Sequence, residues 1–330
     1  MGRRTNDIDK FVIAGLELWL KMTIRQLRYF LRIVELRSFS KAAAYLHVAQ
    51  PALGLQVRKL EEELGVKLLN RHSRGVIPTE AGLLLREHAL IILRQLERAR
   101  LSVADLAGPP RGKIAVGLTP TLNLILATQL VERCRREYPN VSLAIVDAMS
   151  EDLMEWVEND RIDVAFSYNP SAVQGLVCEP LVTEDLCLIG PGRDIEHKPP
   201  TVTLPEIADL PMILPSVSSG LRTLVEEAAH ARGFDLNVVL EIDSVTAMKE
   251  MVIKGVGYVI LPLGSVRREV DEGRLSARRF EKPALSRNMY LVHSAKRPAS
   301  KATVAVRELM RNVVLENLDS GAWAWRPAES

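Results

Sequence analysis

The sequence predicts an α/β protein in three parts: a small helical module at the N-terminus, one long helix, and a body in which strands and helices alternate. Three observations support this fold class. Residues 22–79 carry short, closely spaced helical patterns; residues 80–108 continue one helical repeat without a proline; and from residue 112 onward short apolar runs alternate with helical patterns. At 330 residues the chain is long enough for two or three domains, each with its own core.

Charge is distributed unevenly along the chain. Residues 22–79 contain ten Lys and Arg residues against four Asp and Glu residues, a net charge of +6, and the whole chain carries +2, so the remainder carries −4. A basic N-terminal module on a mildly acidic body indicates a polyanion-binding part with a separate second task. Aromatic residues make up only 5% of the chain, which argues against base stacking on single-stranded nucleic acid. The ordinary globular composition argues against a membrane protein.

Residues 1–21 form an N-terminal extension that we expect to lie outside the fold. Their apolar run, from Phe11 to Leu20, is shorter than the roughly 20 residues that cross a bilayer. No small-residue cleavage site follows it. Because Met22 opens a new pattern, both Met1 and Met22 remain candidates for the start of translation.

Two amphipathic helices begin the N-terminal module. The apolar stripe of the first helix comprises Ile24, Leu27, Phe30, Leu31 and Val34. The second helix, KAAAYLH, is predicted to start at Ser40, whose side chain can cap it. The three-residue turn at 47–49 then leads into a third helix.

The third helix, QPALGLQVRKLEEEL, starts sharply because Pro51 suits the first turn of a helix. Its apolar spacing predicts one buried stripe and an opposite face of amide and cationic side chains. The predicted stripe consists of Leu53, Val57, Leu60 and Leu64. Helix, tight turn and helix with an exposed polar face predict a helix-turn-helix, whose second helix enters the major groove of DNA.

Two short extended segments follow the third helix and are expected to form a wing around Gly75. The wing arginines Arg71 and Arg74, the net charge of +6 and the Gln50-Pro51 start favour double-stranded DNA as the partner. A pure protein-interaction module is the alternative. We assign the winged helix-turn-helix domain to residues 22–79.

A long linker helix is predicted for residues 80–108, with Thr79 as its N-cap. Its apolar positions recur in steps of three and four, which is the spacing of a coiled-coil seam. They are Ala81, Leu85, His88, Ile92, Leu96, Ala99, Val103 and Leu106. A rod of about 40 Å cannot bury this seam against one small domain, so we expect it to pair with a second copy. The pair would place two recognition helices one turn apart on a palindromic DNA site.

Residues 112–318 are predicted to form a body with two lobes around a cleft. Two strand–helix–strand units with parallel sheets, and a C-terminal segment that returns to the first unit, predict lobe I at about 112–185 and 285–318 and lobe II at about 186–284. Small ligands bind at the carboxyl ends of such strands and at helix N-termini. The residues predicted there are Thr119, Pro120, Thr121, Tyr168, Ser216, Ser218, Ser219 and Ser244. Helix capping is the alternative role for each serine and threonine.

Patterns typical of enzymes and metal sites do not occur in the sequence. There is no G-x-S-x-G, the Gly255-Val256-Gly257 run follows a helix, which is the wrong order for a dinucleotide loop, and the six histidines are scattered. Cys134, Cys178 and Cys187 form no C-x-x-C pair, which favours thiols in a reducing compartment. We therefore expect no enzyme activity, no cofactor and no metal.

The run from Ile24 to Gly82, IRQLRYFLRIVELRSFSKAAAYLHVAQPALGLQVRKLEEELGVKLLNRHSRGVIPTEAG, closely resembles the N-terminal domain of LysR-type transcriptional regulators. A looser resemblance extends from Met22 to about Leu318. It implies a winged helix-turn-helix, dimerisation through the linker helix, usually a dimer of dimers, and an effector domain resembling periplasmic binding proteins. The AQPAL, GVIPTEAG and HALIILRQLERA segments look most like the nitrogen-assimilation-control branch of the family.

The resemblance also implies a set of DNA contacts. By position these are Gln26, Ser40, Lys41, Gln50, Pro51, Ala52, Gly54, Leu55, Arg58, Arg71 and Arg74. Three residues depart from the family pattern. Ala49 stands where a capping Ser is common, which could cost about 1 kcal/mol, and Gly54 and Leu55 stand where Ser and Arg are common. Leu55 cannot pair with guanine as an Arg could, but it can pack on a thymine methyl group.

These patterns predict a cytoplasmic transcription regulator that binds double-stranded DNA as a dimer or tetramer and responds to a small-molecule effector held between two lobes. RNA polymerase is left as an open further partner, and no membrane is expected. The alternatives are a regulator without an effector and a ligand-binding adaptor that acts through protein partners. The sequence identifies neither the target genes nor the effector, and it leaves activation and repression equally open.

Overall fold

The computed structural model describes residues 22–72, 75–104, 108–193, 199–296, 298–321 and 323–328. The chain forms two compact units, residues 1–100 and residues 101–330. The extension at 1–21 and the predicted DNA contact Arg74 lie outside the described residues. Each unit is built around its own apolar core.

The N-terminal unit contains the predicted helices and hairpin. Their bounds are α1 Ile24–Leu36, α2 Phe39–Tyr45, α3 Gln50–Leu64, β1 Leu69–His72, β2 Gly75–Pro78 and α4 Glu80–Ala104. The two strands pair antiparallel, with His72 opposite Gly75. Phe30, Leu53 and Leu60 are fully buried in the core between the helices. Thr79 caps α4 as predicted, since its hydroxyl accepts a hydrogen bond from Gly82 N at 3.0 Å.

Two local predictions in this unit are wrong. The second helix begins at Phe39 and is capped by Ser38, whose Oγ accepts from Lys41 N at 3.3 Å, so Ser40 lies inside the first turn and not at the cap. Ser38 has the extended backbone that a capping residue requires. Leu64, at the last position of α3, is 38% exposed and does not extend the buried stripe. As expected, Ala49 caps α3 without a side-chain hydrogen bond to any described residue.

A glutamate in α3 anchors the start of the hairpin. Glu61 Oε1 accepts from the N–H groups of Leu68 (2.9 Å) and Leu69 (3.3 Å), and its Oε2 pairs with Lys67 Nζ at 2.8 Å. Burial works to raise the pKa of Glu61, but the hydrogen bonds from Lys67 and the two backbone amides outweigh it, so the pKa lies below its usual value of 4.5. The ionised carboxylate therefore fixes β1 against α3.

Replacing this anchor should loosen the hairpin in a pH-dependent way. We expect Glu61→Gln to speed amide exchange at Leu68 and Leu69, corresponding to a loss of about 1–2 kcal/mol at neutral pH. A lowered folded pKa gives stability that is complete above the unfolded pKa and is lost as the pH falls through the folded pKa. The difference between wild type and variant, measured by hydrogen-exchange mass spectrometry, should therefore shrink below about pH 4.5. Glu62→Gln, at the exposed neighbouring position, is the control; an equal effect there would contradict the anchor.

Lobe I of the second unit is a sheet with helices on it. Its first elements are β3 Gly112–Leu118, α5 Pro120–Glu137, β4 Val141–Asp147, α6 Ser150–Glu158 and β5 Val164–Tyr168. The sheet order is β4-β3-β5-β12-β6, where β6 is Leu176–Pro191 and β12 is Ser286–Ser294. β3 pairs parallel with β4 and β5, but β12 pairs antiparallel with both β5 and β6. The predicted parallel sheet is therefore mixed, because β12 returns from lobe II.

Lobe II is built on the second half of β6. Its elements are β7 Thr201–Val202, β8 Met212–Leu214, α7 Gly220–His230, β9 Val238–Glu241, α8 Val245–Ile253, β10 Val259–Pro262, α9 Leu263–Asp271 and β11 Leu275–Phe280. β10 and β11 pair antiparallel with β6 between Leu186 and Pro191. β6 thus runs through both lobes, and it passes from one to the other beside Leu285, whose C=O accepts from Leu186 N at 2.8 Å.

The C-terminal segment closes lobe I. Helix α10, Lys301–Asp319, packs on the lobe I core, and the short strand β13, Trp325–Pro327, pairs antiparallel with β6 at Val182–Glu184. Cys134 and Cys187 are buried, Cys178 is half-buried, and all three are unpaired within the described chain. None of the described helices is long and apolar enough to span a membrane, and no described group of His, Cys, Asp and Glu could hold a metal ion.

Candidate functional site: a DNA-binding surface and a cleft between two lobes

Helix α3 presents a polar and partly apolar face to solvent. Gln50, Pro51, Ala52, Leu55 and Arg58 are exposed, while Leu53, Val57 and Leu60 hold the opposite face in the core. Leu55 is 49% exposed, so its side chain is available to a partner. Ser40 and Lys41 are exposed in the first turn of α2. The predicted contact residues on these helices are thus accessible from solvent, except that Gly54 is half-buried.

Arg71 of β1 is held against the helix-turn-helix. Its guanidinium lies 4.3 Å from the centre of the Phe39 ring at the start of α2. Its Nη2 is also 3.9 Å from the position that a Cβ on Gly54 would take. The ring fixes one face of the guanidinium by a cation–π contact, while the exposed side chain keeps its N–H edge for a phosphate group.

Gln26, a further predicted DNA contact, is buried in the described structure. Its side chain is only 5% exposed, and its Oε1 accepts hydrogen bonds from Thr23 N (2.7 Å) and Thr23 Oγ1 (2.9 Å). Together with the bond from Gln26 N to Thr23 Oγ1, these contacts form a capping box at the start of α1. The residue therefore stabilises the helix end, and its contact with DNA stays a prediction.

Two glycines next to this surface should respond oppositely to alanine. A Cβ on Gly54 would meet nothing closer than Arg71 Nη2 at 3.9 Å, so Gly54→Ala should stabilise α3 by about 1 kcal/mol. A Cβ on Gly82 would lie 2.1 Å from the Leu68 carbonyl oxygen, so the matched variant Gly82→Ala should destabilise the unit. Amide exchange across α1–α3, followed by mass spectrometry, should slow in the first variant and accelerate in the second. Two changes of the same sign would contradict the described packing.

Helix α4 uses its predicted seam in two ways. Ala81 and Leu85 at its start pack against the core of the N-terminal unit. Further along, Ile92 and Leu96 are 37% and 44% exposed. Leu83, Leu84 and Leu90, which are not seam positions, are exposed as well. The side chain of Val103, and Leu106 altogether, lie outside the described residues. The exposed part of the seam is an apolar surface without cover among the described residues of its own unit.

A cavity of about 310 Å³ lies between the two lobes of the second unit. On the lobe I side it is lined by Thr119, Pro120 and Thr121 where β3 leads into α5, and by Tyr168 at the end of β5. On the lobe II side it is lined by Ser219 and Gly220 at the start of α7. The carboxyl ends of strands and the N-termini of helices therefore meet at one opening, as expected for a ligand site in an α/β protein.

Three predicted cleft residues do not line this cavity. Ser216 N donates to Asp243 Oδ1 at 2.8 Å, and the hydroxyls of Ser216 and Ser218 lie 3.0 Å apart, so these serines shape the loop before α7. Ser244 Oγ accepts from Ala247 N at 3.3 Å and caps α8. Ser244 thus has the capping role stated as the alternative, and it also lines a neighbouring cavity that shares Pro120 and Asp243 with this one.

A buried ion pair forms the floor of the cavity, and it was not predicted. Arg287 of β12 pairs with Glu184 of β6, its Nε and Nη2 lying 2.9 and 2.8 Å from Glu184 Oε2. Arg287 Nη2 also donates to Thr121 Oγ1 at 3.0 Å, and Trp325 Nε1 donates to Glu184 Oε1 at 2.9 Å. Arg287 is 7% exposed and Glu184 is 0% exposed. Burial works against the charged guanidinium, but Glu184 beside it raises the pKa of Arg287.

Two hydroxyls at this floor are buried. Thr119 Oγ1 makes no hydrogen bond to any described residue, and Tyr168 Oη makes none of good geometry although it lies beside Glu184 and Thr121. Burial raises the pKa of Tyr168 well above its usual value, so the phenol stays protonated. The Arg287 guanidinium stacks on the Tyr168 ring, 3.5 Å from its centre. Two strand ends therefore offer neutral hydroxyl groups to the cavity beside an arginine.

Family models match both units of the chain. Residues 24–83 match the bacterial regulatory helix-turn-helix protein of the lysR family, and residues 107–314 match the LysR substrate binding domain. The chain belongs to the LysR family of transcriptional regulators. It is therefore a DNA-binding regulator with an effector-binding domain and not an enzyme, and regulators of this family act as oligomers.

The chain is also similar to individual members of the family. It is 35% identical over 294 residues to the nitrogen assimilation regulatory protein nac of Klebsiella aerogenes, covering 89% of this chain and 95% of that one. It is 30% identical to the hydrogen peroxide-inducible genes activator of Pectobacterium carotovorum, covering 84% and 91%. Among solved structures, full-length CbnR complexed with its target DNA has a TM-score of 0.70 at 20% identity and covers 89% of this chain and 100% of that one. At that identity the likeness concerns the fold alone.

Proposed function

We propose that this regulator senses a small metabolite in the cavity between its lobes. The observation that carries the proposal is a pair of buried hydroxyls that line the cavity: Thr119 Oγ1, which has no partner in the described part of the chain, and Tyr168 Oη, whose contacts with Glu184 and Thr121 lack good hydrogen-bond geometry. A buried polar group without a partner costs about 1–3 kcal/mol. Native proteins rarely keep such a group unless a ligand, an ion or water completes it. A metabolite that bonds both hydroxyls recovers this cost.

A ligand at this position can act as a switch because it touches both lobes. Thr119 and Tyr168 belong to lobe I, and Ser219 and Gly220 belong to lobe II. A ligand that bonds both sides binds the closed arrangement more tightly than the open one, and it shifts the equilibrium by that difference in affinity. The chain passes between the lobes at Leu186 of β6 and at Leu285, just before β12, and these two crossings form the hinge.

For DNA binding, we propose that α3 lies in the major groove. Gln50 then reads an adenine through its amide, Leu55 packs on a thymine methyl group, and Arg58 and Arg71 bind phosphates. The remaining proposed contacts are Ser40, Lys41, Pro51, Ala52, Gly54 and, beyond the described residues, Arg74. The exposed positions of Ser40 and Lys41 on α2, and of Pro51 and Ala52 on α3, support this set. We place the regulator in the cytoplasm, where a bacterial regulator meets its DNA.

For assembly, we propose that the exposed seam of α4 pairs with the same seam of a second copy. Ile92 and Leu96 are the central residues of the exposed stretch. Paired seams cover each other, and they bring two copies of α3 to one palindromic site. The pairing explains why a helix of 25 residues leaves apolar side chains in solvent.

The test of the proposed sensor is a substitution at Thr119. Because Thr119 Oγ1 has no partner among the described residues, Thr119→Val should leave the free protein equally stable or more stable. It should lower the affinity for the effector by about 5–30-fold, the equivalent of about 1–2 kcal/mol for a lost hydrogen bond. Thr121→Val is a less direct test, because Thr121 Oγ1 already accepts from Arg287.

The measurement is thermal-shift screening of amino acids, small carboxylates and sugars, followed by calorimetry. Ser167→Ala is the matched control, because Ser167 Oγ is also buried without a described partner but does not line the cavity. Its affinity for the effector should equal that of the wild type. If no metabolite binds the wild type, or if Thr119→Val binds as tightly, the cavity is not the sensor and the regulator acts without an effector.

A further inference from the structure

We infer that the metabolite is a zwitterion: an amino acid, or a close derivative, with a free carboxylate and a free ammonium group. The inference rests on the proposed sensing role of the cavity and specifies the ligand class. It follows from the different chemistry of the groups that line the cavity. Hydrogen-bond donors lie at the buried end in lobe I, and carboxylates lie around the opening on both lobes.

The buried end suits one carboxylate. Thr119 is 5% exposed with a free hydroxyl, and it precedes α5, whose first N–H groups receive no side-chain cap from the described residues. Arg287 uses Nε and Nη2 for Glu184 and Thr121, and its guanidinium lies among the residues that line the cavity. The Tyr168 hydroxyl adds a further donor. These donors meet at a depth where water does not compete well for them.

The same end does not suit two carboxylates. Glu184 lies against Arg287 and neutralises it, so the floor has no net charge to offset a second anion. No other Lys or Arg is among the residues that line the cavity. A dicarboxylate would therefore place its second charge where only carboxylates face it.

The opening carries three carboxylates, on Glu151, Glu227 and Asp243. Glu151 extends from lobe I to the start of α7 in lobe II, where its Oε1 lies 3.0 Å from the position of a Cβ on Gly220. It thus occupies the helix end that a second ligand anion would need. Asp243 accepts from Ser216 N, and Glu227 is exposed on α7. An ammonium group at the opening offsets this negative charge, and a lone anion meets repulsion from it.

Lobe II adds an apolar wall, while Ser150, Asn169 and Thr223 add further polar groups to the lining. Leu221, Leu224, Met248 and Leu261 line the cavity from lobe II. At about 310 Å³ the cavity accommodates an amino acid with an uncharged side chain packed on these residues. The ligand is therefore held at three places: its carboxylate at Thr119, its ammonium group at the carboxylates of the opening, and its side chain against lobe II.

The test compares matched ligands on the full-length protein by calorimetry. The common L-amino acids are screened, and the tightest binder is compared with the acid that lacks the ammonium group and the amine that lacks the carboxylate; for leucine these are 4-methylpentanoate and 3-methylbutylamine. We expect each analogue to bind at least about tenfold more weakly than the amino acid. If the acid without the ammonium group binds as tightly as the amino acid, the inference that the ligand is a zwitterion is wrong.

A charge-removing variant locates the ammonium group. Glu227→Gln should lower the affinity for the amino acid about tenfold. Its affinity for the acid that lacks the ammonium group should equal or exceed that of the wild type. Glu250→Gln, an exposed position on α8 that does not line the cavity, should change neither affinity. Equal loss for both ligands, or no loss for the amino acid, would overturn the inference. Tight binding of dicarboxylates or sugars alone would overturn it while leaving the sensing role intact, and binding of nothing would overturn both.

Discussion

Replacing Ile92 and Leu96 of α4 with aspartate is expected to convert the protein to monomers and to lower its affinity for operator DNA by about 100-fold or more. The two side chains are 37% and 44% exposed in one chain, and pairing with a second copy would bury them. The variant would place four carboxylates in that seam, where like charges repel and lose their hydration. A monomer holds one recognition helix, so it loses the gain in effective concentration that a second half-site provides.

Sedimentation velocity and fluorescence anisotropy on labelled operator DNA measure the two effects. The control places aspartate at Glu87 and Arg94, which helical spacing puts on the opposite side of α4. That variant should stay assembled and bind DNA like the wild type. An Ile92→Asp, Leu96→Asp protein that still sediments as a dimer would mean that the copies meet through another surface.

Arg287→Met is expected to lower the free energy of unfolding of the second unit by about 3–5 kcal/mol, because it leaves the charge of Glu184 buried without its partner. Glu184 is 0% exposed, and its remaining hydrogen bond among the described residues comes from Trp325 Nε1. Guanidinium chloride unfolding followed by tryptophan fluorescence, with Trp19 replaced by Phe in every protein compared, reports on this unit, because the other tryptophans, Trp156, Trp323 and Trp325, all belong to it.

The matched double variant separates the ion pair from simple packing. Arg287→Met with Glu184→Met removes both charges, so most of the lost stability should return. If Arg287→Met alone costs less than about 1 kcal/mol, the pair is hydrated in solution and does not form the dry floor described above. If the double variant is no better than the single one, the loss comes from packing and not from the unpaired charge.

Helical periodicity was enough to predict the N-terminal unit, because each helix has one buried stripe and solvent on the other side. Helix boundaries depended on finer chemistry: Ser38 and Ser40 are two residues apart, and only the extended backbone of Ser38 shows which one is the cap. The long strand β6 gave no such signal. Pro180, Glu184 and Asp185 interrupt its apolar pattern, and Glu184 is buried there only because Arg287 arrives from β12.

The sequence predicted the cleft residues that lie at strand and helix ends. It did not predict those that strand pairing brings to the cleft from far along the chain. Thr119, Thr121, Tyr168 and Ser219 follow strands or precede helices, so their positions at one edge follow from the alternation. Ser216, Ser218 and Ser244 have the same local pattern, but Ser216 and Ser218 form hydrogen bonds within a loop and Ser244 caps a helix. Arg287 could not be found in this way, because it reaches Thr121 across a separation of 166 residues.

The central claim is that a ligand in the cleft changes how the protein binds DNA. The direct measurement is anisotropy of labelled DNA from upstream of its own gene, titrated with wild-type protein or Thr119→Val at rising concentrations of the tightest-binding metabolite. We expect both proteins to bind DNA equally tightly without the metabolite. The metabolite should then change the DNA affinity of both, with a midpoint concentration about 5–30-fold higher for Thr119→Val. DNA binding by the wild type that stays the same at saturating ligand, or equal midpoints for the two proteins, would contradict it.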